Sequence, residues 1–131
     1  MKREEIVQGV RECLGRVVDV DPSAIHENDS IIGQLGADSL DLLDLIFQLE
    51  QQFGIRITPR GIERAAQEKL GDISLERDGV YTPEALAELR LALPEVPPDE
   101  LTEGLRAADL PRRFRVATFV NLVSRLLEAK Q

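Results

Sequence analysis

The stretch from Gly36 to Gly54 places one hydroxyl where a helix is predicted to begin. Asp38 is the predicted N-cap, and Asp41, three residues later, stands in a capping-box relation to it. Ser39 then occupies the first helical position, where it faces solvent beside backbone N–H groups that no helical carbonyl can bond. A phosphodiester on this hydroxyl would lie at the positive end of the helix dipole. Ser39 is therefore a candidate attachment point for a phosphorylated group.

The other reactive side chains do not form a catalytic set. Cys13 is the only cysteine and lies on the apolar stripe of the first predicted helix, which favours a buried structural thiol over a nucleophile or a ligand. His26 is the only histidine, and a loop position without a second ligand favours a structural or idle role. The acids of residues 19–29 lack the glycine and the terminal glutamate of a calcium loop, so no metal site is predicted. We expect a protein that is not an enzyme.

The charge distribution favours basic protein partners. The formal net charge is −8, so nucleic acid is not an expected partner. Residues 1–58 hold eleven acids and five bases, and no Lys or Arg lies between Arg16 and Arg56, where eight acids do. The face around Ser39 thus has one sign of charge, which steers partners that carry basic patches. The predicted docking contacts are Asp38, Asp41, Asp44 and Glu50.

The length, the apolar runs and the cysteine count predict the number of domains and the cellular compartment. A chain of 131 residues is expected to form one domain with a real core. The N-terminus is not followed by the apolar core of a signal peptide, and no apolar run approaches the length of a membrane span. The single cysteine cannot form an internal disulfide. These features predict a cytoplasmic monomer without a transmembrane segment.

Two helices must position Ser39. Residues 3–16 form one amphipathic helix, and residues 39–53 form a second helix that ends at Gly54. The second helix is apolar on more than one stripe, which suits a central helix that packs on several neighbours. Its main predicted face consists of Leu42, Leu45, Ile46, Leu49 and Phe53, and the residues that widen this face are Leu40, Leu43 and Phe47.

The remainder is also mostly helical. Thr58-Pro59 is a predicted cap for a helix over roughly 59–69, whose predicted inner face is Ile62, Ala65, Ala66 and Leu70. A small hairpin or a loop is expected around Asp78-Gly79. A further helix begins after Thr82-Pro83 and stops at Pro94. One or two short turns precede a last helix over 116–128, so the predicted fold class is all-α.

Asp38-Ser39-Leu40-Asp41 alone would indicate only a helix start, but its surroundings carry a family resemblance. The run Leu-Gly-Ala-Asp-Ser-Leu-Asp, then an acid-bearing apolar helix, then Gln-Gln-Phe-Gly-Ile-Arg-Ile, resembles the acyl carrier protein family. In that family the serine of Asp-Ser-Leu carries 4′-phosphopantetheine. The match covers about residues 3–59 and 112–129. It implies an acyl-carrier-like four-helix bundle in a single domain, 1–131, with residues 60–111 inserted between the second and last main helices.

The resemblance implies a carrier that holds an acyl chain as a thioester on a 4′-phosphopantetheine arm at Ser39, flanked by Asp38 and Leu40. The implied partners are a phosphopantetheinyl transferase and acyl-transferring or acyl-modifying enzymes with basic docking patches. A fatty-acyl or lipid cargo is preferred, and the insertion favours a specialised pathway. A peptidyl, aminoacyl or polyketide carrier is the alternative within this class. An acidic protein-interaction module without the arm is the alternative from another class.

The insertion carries enough apolar residues to fold. We expect it to pack against the bundle and to reshape the mouth of a cargo cleft. Burying half of its large apolar side chains would offset much of the conformational entropy that the segment loses when it folds. The alternative is a separate mobile flap that touches only partner proteins. The apolar positions are Ile62, Leu70, Leu75, Tyr81, Leu86, Leu89, Leu93, Leu101, Leu105 and Leu110.

Overall fold

The computed structural model describes residues 1–58 and 61–130 and divides the chain into two compact units. The first unit comprises Met1–Ile57 and Phe114–Gln131, and the second comprises Thr58–Arg113. The second unit thus begins and ends within a few residues of the predicted insertion, 60–111. Whether this insertion packs against the bundle stays a prediction. Pro59, the predicted first residue of the third helix, lies outside the described residues.

Three long helices build the first unit. They are α1 (Arg3–Val18), α2 (Ser39–Phe53) and a C-terminal helix (Val116–Ala129), and α1 packs on both of the others. α1 runs two residues beyond its predicted end because its stop is Asp19, which adopts the left-handed conformation with φ of 56°. The core of this unit includes Ile6, Val10, Leu14, Ile25, Ile31, Leu45, Leu49, Phe53, Val116, Phe119, Val120 and Val123.

The loop between α1 and α2 is tied to the start of the C-terminal helix. Ile25 is fully buried after the short 3-10 turn Pro22–Ala24. The backbone N–H of Ile31 donates to the carbonyl of Phe114 at 3.2 Å. Leu35 is half-buried, and Ala37 is the residue that is buried just before α2. These contacts fix the segment that leads into Ser39.

The second unit contains α3 (Gly61–Leu70) and α4 (Pro83–Ala92), which pack on each other, with a hairpin between them. Strands β1 (Glu76–Arg77) and β2 (Val80–Tyr81) pair antiparallel. The two turn residues between the strands have φ of 53° and 81°. Both values are left-handed, as a tight two-residue hairpin turn requires. Of the two predicted alternatives, a hairpin or a loop, the hairpin forms, and the fold class is helical with this small sheet as the only one among the described residues.

α3 buries most of its predicted inner face and differs from it at one position. Ala66 is buried and Ile62 and Leu70 are half-buried, but Ala65 is exposed and Glu63 is buried in its place. Residues 63, 66 and 70 recur at the spacing of one helical face, so the buried face is rotated away from residue 65. The apolar pattern of a ten-residue helix with few large apolar side chains does not determine its orientation.

α4 (Pro83–Ala92) anchors the core of the second unit. Thr82 is its N-cap: its Oγ1 accepts a hydrogen bond from the N–H of Ala85 at 3.2 Å and donates to the carbonyl of Ser74 at 2.9 Å. The three predicted inward leucines of this segment are all buried. The other large buried side chains of the unit are Tyr81, Val96, Leu101, Leu105 and Leu110. Residues 98–100 and 107–113 form 3-10 segments, and the C-terminal helix that follows is named α5 from here on.

In the described part of the chain, every helix is too short or too polar to cross a lipid bilayer.

Two leucines of α2 provide a matched test of the first core. Leu49 is fully buried, whereas Leu43 on the same helix is 60% exposed. Leu49→Ala should lower the free energy of unfolding of the first unit by about 2–5 kcal/mol, because it leaves a cavity. Leu43→Ala should change it by about 0.5 kcal/mol or less. Urea unfolding followed by NMR signals of α1 and α2 measures both changes, and equal losses in the two variants would contradict the assigned burial.

Candidate attachment and docking site

Two aspartates hold the start of α2. The N–H of Asp41 donates to Oδ1 of Asp38 at 2.9 Å, and the N–H of Asp38 donates back to Oδ2 of Asp41 at 3.0 Å. This reciprocal pair is the predicted capping box, with aspartate in the place that glutamate usually takes. Asp38 has extended backbone, and Ser39 is the first residue of α2, as predicted.

The residues before Ser39 are anchored, while Ser39 itself is exposed. Ala37 is buried, and its N–H donates to the carbonyl of Ile31 at 3.1 Å. Gly36 makes the preceding bend with φ of 77°, a conformation that favours glycine. Leu40, on the other side of Ser39, is 74% exposed. The serine hydroxyl is therefore presented to solvent from a backbone that is fixed on both sides.

α2 exposes a row of large apolar side chains beside the serine. Leu40, Leu43 and Phe47 are 74%, 60% and 59% exposed, and helical geometry brings them to one side of α2. They are named the exposed stripe below. The predicted inner face is buried at Leu45 and Leu49, and the sequence could not separate it from this second stripe. Solvent-exposed apolar side chains that cluster on one helix are typical of a surface that binds another molecule.

The four predicted docking acids occupy different environments. Asp38 and Asp44 are exposed, whereas Asp41 and Glu50 are half-buried. Glu50 has a structural contact, since its Oε2 accepts a hydrogen bond from the N–H of Ile57 at 2.8 Å and braces the loop after α2. Asp44 Oδ1 lies 3.5 Å from the side-chain nitrogen of Gln48. All four stay predicted partner contacts. Asp44 differs from the other three because its contact is with a side chain, whereas theirs are with backbone N–H groups.

Sequence reasoning missed the side chains that join α2 to its neighbours. Nε of Arg16 in α1 donates to Oε1 of Gln48 at 3.0 Å. Nζ of Lys130 donates to the carbonyl of Gly54, which ends α2, at 2.6 Å. These contacts join residues that are 32 and 76 positions apart, so no local sequence pattern predicts them.

The only cysteine is a buried structural thiol, as predicted. Cys13 is fully buried, and its Sγ donates to Oε1 of Gln52 at 3.3 Å. Burial raises the pKa of this thiol, and the positive charge of Arg16 offsets only part of that rise. His26 is exposed, and its backbone N–H is bound by the Asp29 carboxylate at 2.9 Å. Among residues 1–58 and 61–130, no group of His, Cys, Asp and Glu side chains could hold a metal ion.

Fold and site together define a small helical protein that presents one serine at a helix start. Residues 8–72 match a family model described as "Phosphopantetheine attachment site". The acyl carrier protein of Thermotoga maritima is 38% identical over 71 residues, which cover 54% of this chain and 85% of the relative. That of Rubrobacter xylanophilus is 41% identical over 64 residues, or 49% of this chain and 79% of the relative.

A longer match comes from Mycolicibacterium smegmatis. Its "Meromycolate extension acyl carrier protein" is 30% identical over 90 residues, which cover 67% of this chain and 89% of the relative. No solved structure matches the chain significantly. The chain belongs to the acyl carrier protein family. It is a non-catalytic carrier with covalently attached 4′-phosphopantetheine, and the alternative of an interaction module without the arm is not supported.

The start of α2 fits this group. Ser39 offers an exposed hydroxyl, and the N–H groups of Ser39 and Leu40 lie in the first turn, where a helix has no carbonyl to bond them. A phosphodiester there would meet the positive end of the helix dipole. The two nearest carboxylates already bind backbone N–H groups through the capping box. The arm supplies the thiol that holds an acyl chain as a thioester, and the chain supplies the anchor and the recognition surface.

The buried position of Cys13 predicts a slow thiol. At pH 7–8 the folded apo-protein should react with a disulfide reagent such as Ellman's reagent far more slowly than the unfolded chain, because the thiol is buried and its pKa is raised. One equivalent should react at once in denaturant. Absorbance of the released thiolate measures both rates. Equal rates in the folded and unfolded states would show that the thiol is accessible, in conflict with its burial.

Proposed function

We propose that Ser39 carries the 4′-phosphopantetheine arm. The observation that supports this most is the position of Ser39: it is an exposed hydroxyl, first in α2, inside the segment that matches the attachment-site family. The capping box and the buried Ala37 hold the backbone on either side of Ser39 in this position. A phosphopantetheinyl transferase would then transfer the arm from coenzyme A to this hydroxyl.

The cargo that we propose is a fatty-acyl or related lipid chain in a specialised pathway. The acid-bearing α2 resembles that of fatty-acyl carriers. Two relatives named for meromycolate extension match over 90 and 89 residues, which is more of the chain than the 71 residues matched by the Thermotoga maritima relative. Intact mass of the protein purified from its native host tests this proposal. A mass that fits an aminoacyl or polyketide cargo on the arm would overturn it.

Partner enzymes dock, in this proposal, on α2 beside the arm. The exposed stripe supplies apolar area that a partner can bury, and the acids along its edge supply charge that attracts basic patches. These two contributions differ in their dependence on salt. Exposed charges act mainly on the rate of encounter and are screened, whereas apolar contact persists at high ionic strength. The partners are therefore enzymes with basic residues around an apolar depression.

Ser39→Ala should abolish arm attachment without unfolding the protein. The control is Ser23→Ala, because Ser23 is also exposed but hydrogen-bonds Asp21 in a loop. Incubation of each apo-protein with a broad-specificity phosphopantetheinyl transferase and coenzyme A, followed by intact mass spectrometry, should show one added arm in wild type and in the control. Modification of Ser39→Ala would refute the assignment.

Charge and apolar contributions to docking should separate with salt. Asp44→Lys should raise KM of the transferase for this protein at low ionic strength by up to about thirtyfold, since the reversal removes an attraction and adds a repulsion of up to about 1 kcal/mol each. Phe47→Ala should raise KM at low and high salt alike. Asp41→Lys is less informative, because it also breaks the capping box. Steady-state kinetics at two salt concentrations measures these effects.

The matched control for this surface is Gln51→Lys. Gln51 is an exposed residue of α2, so its replacement adds positive charge without removing one of the predicted docking acids. We expect it to raise KM less than Asp44→Lys does. If Asp44→Lys leaves KM unchanged at low salt, attraction by these acids does not contribute to docking.

A further inference from the structure

Asp44 is connected to another helix through one amide. Oε1 of Gln48 accepts a hydrogen bond from Nε of Arg16 at 3.0 Å, and Nε2 of the same amide lies 3.5 Å from Oδ1 of Asp44. Arg16 also reaches Oε1 of Gln52 at 3.4 Å. Asp44, Gln48 and Gln52 follow one another at four-residue intervals, so they form a row along one edge of α2. Arg16, at the end of α1, spans the last two members of this row.

The two ends of the Gln48 amide face groups of opposite character. A guanidinium can only donate, and an ionised carboxylate can only accept. The amide oxygen therefore points to Arg16 and the amide nitrogen to Asp44, and a rotation by half a turn would oppose both contacts. Arg16 thus determines which end of the amide Asp44 meets, although the two charged residues lie on different helices.

This arrangement leaves the charge of Asp44 available. A direct ion pair with arginine would occupy the carboxylate with a cation and would compete with the basic groups of a partner. A neutral amide restricts the carboxylate without supplying a full opposite charge. The carboxylate retains its second oxygen, and the residue is exposed at the edge of the exposed stripe.

We propose that Arg16 and Gln48 are positioning residues that hold the Asp44 carboxylate in the orientation in which partner enzymes bind it. The inference rests on the proposed docking function of α2 and adds two residues to it. Asp38 and Asp41 are held by their own helix start, and Glu50 is held by the loop after α2. Asp44 is the docking acid whose orientation depends on α1.

A double-mutant cycle tests this proposal. Gln48→Met removes the amide, keeps every charge and places a residue of similar size and helix propensity in α2. Asp44→Asn removes the charge that the amide orients. KM and kcat of a phosphopantetheinyl transferase with coenzyme A are measured at low ionic strength for the full-length apo-protein, both single variants and the double variant. Gln8→Met, at an exposed glutamine of α1 outside the row and the exposed stripe, is the control. The Tm of every variant is recorded.

The expected result is a coupled change in KM alone. Asp44→Asn should raise KM by about two- to fivefold and Gln48→Met by about twofold. In the Asp44→Asn background, Gln48→Met should have no further effect. Arg16→Met should raise KM of wild type less than this, because it removes the orientation and also a repelling positive charge. Gln8→Met should leave KM unchanged.

The failures of the two proposals are distinguishable. If Asp44→Asn raises KM but Gln48→Met multiplies this increase or has no effect in wild type, the docking function stands and the positioning role is overturned. If Gln48→Met lowers Tm and raises KM by the same factor in both backgrounds, Gln48 contributes to helix packing only, which also overturns it. If Asp44→Asn leaves KM unchanged, docking through Asp44 is refuted, and the positioning role is refuted with it.

Discussion

The site depends on the reciprocal hydrogen bonds between Asp38 and Asp41. They decide at which residue α2 begins, and therefore that Ser39 stands at its first position. A start one residue earlier would place the serine at the second helical position, and a start one residue later would make it the N-cap. Either shift would also change which N–H groups are left without a helical carbonyl. The position of the proposed attachment serine thus follows from two short contacts within four residues.

α2 carries two apolar faces, one in the core and one exposed to solvent. Leu45, Leu49 and Phe53 stabilise the first unit from within, while the exposed stripe stands in solvent. A helix that served only the core would need one apolar face. The second face costs solubility, and the nearby acids offset this cost, because charge at the edge of an apolar surface disfavours association between like-charged copies. A partner with basic residues is attracted by the same acids, so in the proposed docking this surface selects basic partners.

The acids of this surface are held in different ways. Two belong to the capping box, one braces the loop after α2, and Asp44 meets an amide that α1 orients. A carboxylate whose rotamers are already restricted loses less conformational entropy when a partner binds it. The proposed docking therefore depends on the packing of α1 against α2 as well as on the charges themselves.

Local patterns within the sequence were sufficient to predict the start and end of α2, the hairpin turn at Asp78-Gly79 and the Thr82 cap of α4. Each of these depends on residues within a few positions of one another, where backbone conformation and short-range hydrogen bonds dominate. The family resemblance added the arm and the carrier class.

Only the tertiary structure determines which apolar residues of α2 face the core. It also determines that α3 buries Glu63 and exposes Ala65. The contacts of Arg16 and Lys130 with α2 are likewise visible only in the folded chain. Sequence spacing places side chains around a helix, but it does not say which side another helix will cover. That choice is made by packing between residues far apart in the chain, and for this reason the row from Asp44 to Gln52 became visible only in the folded protein.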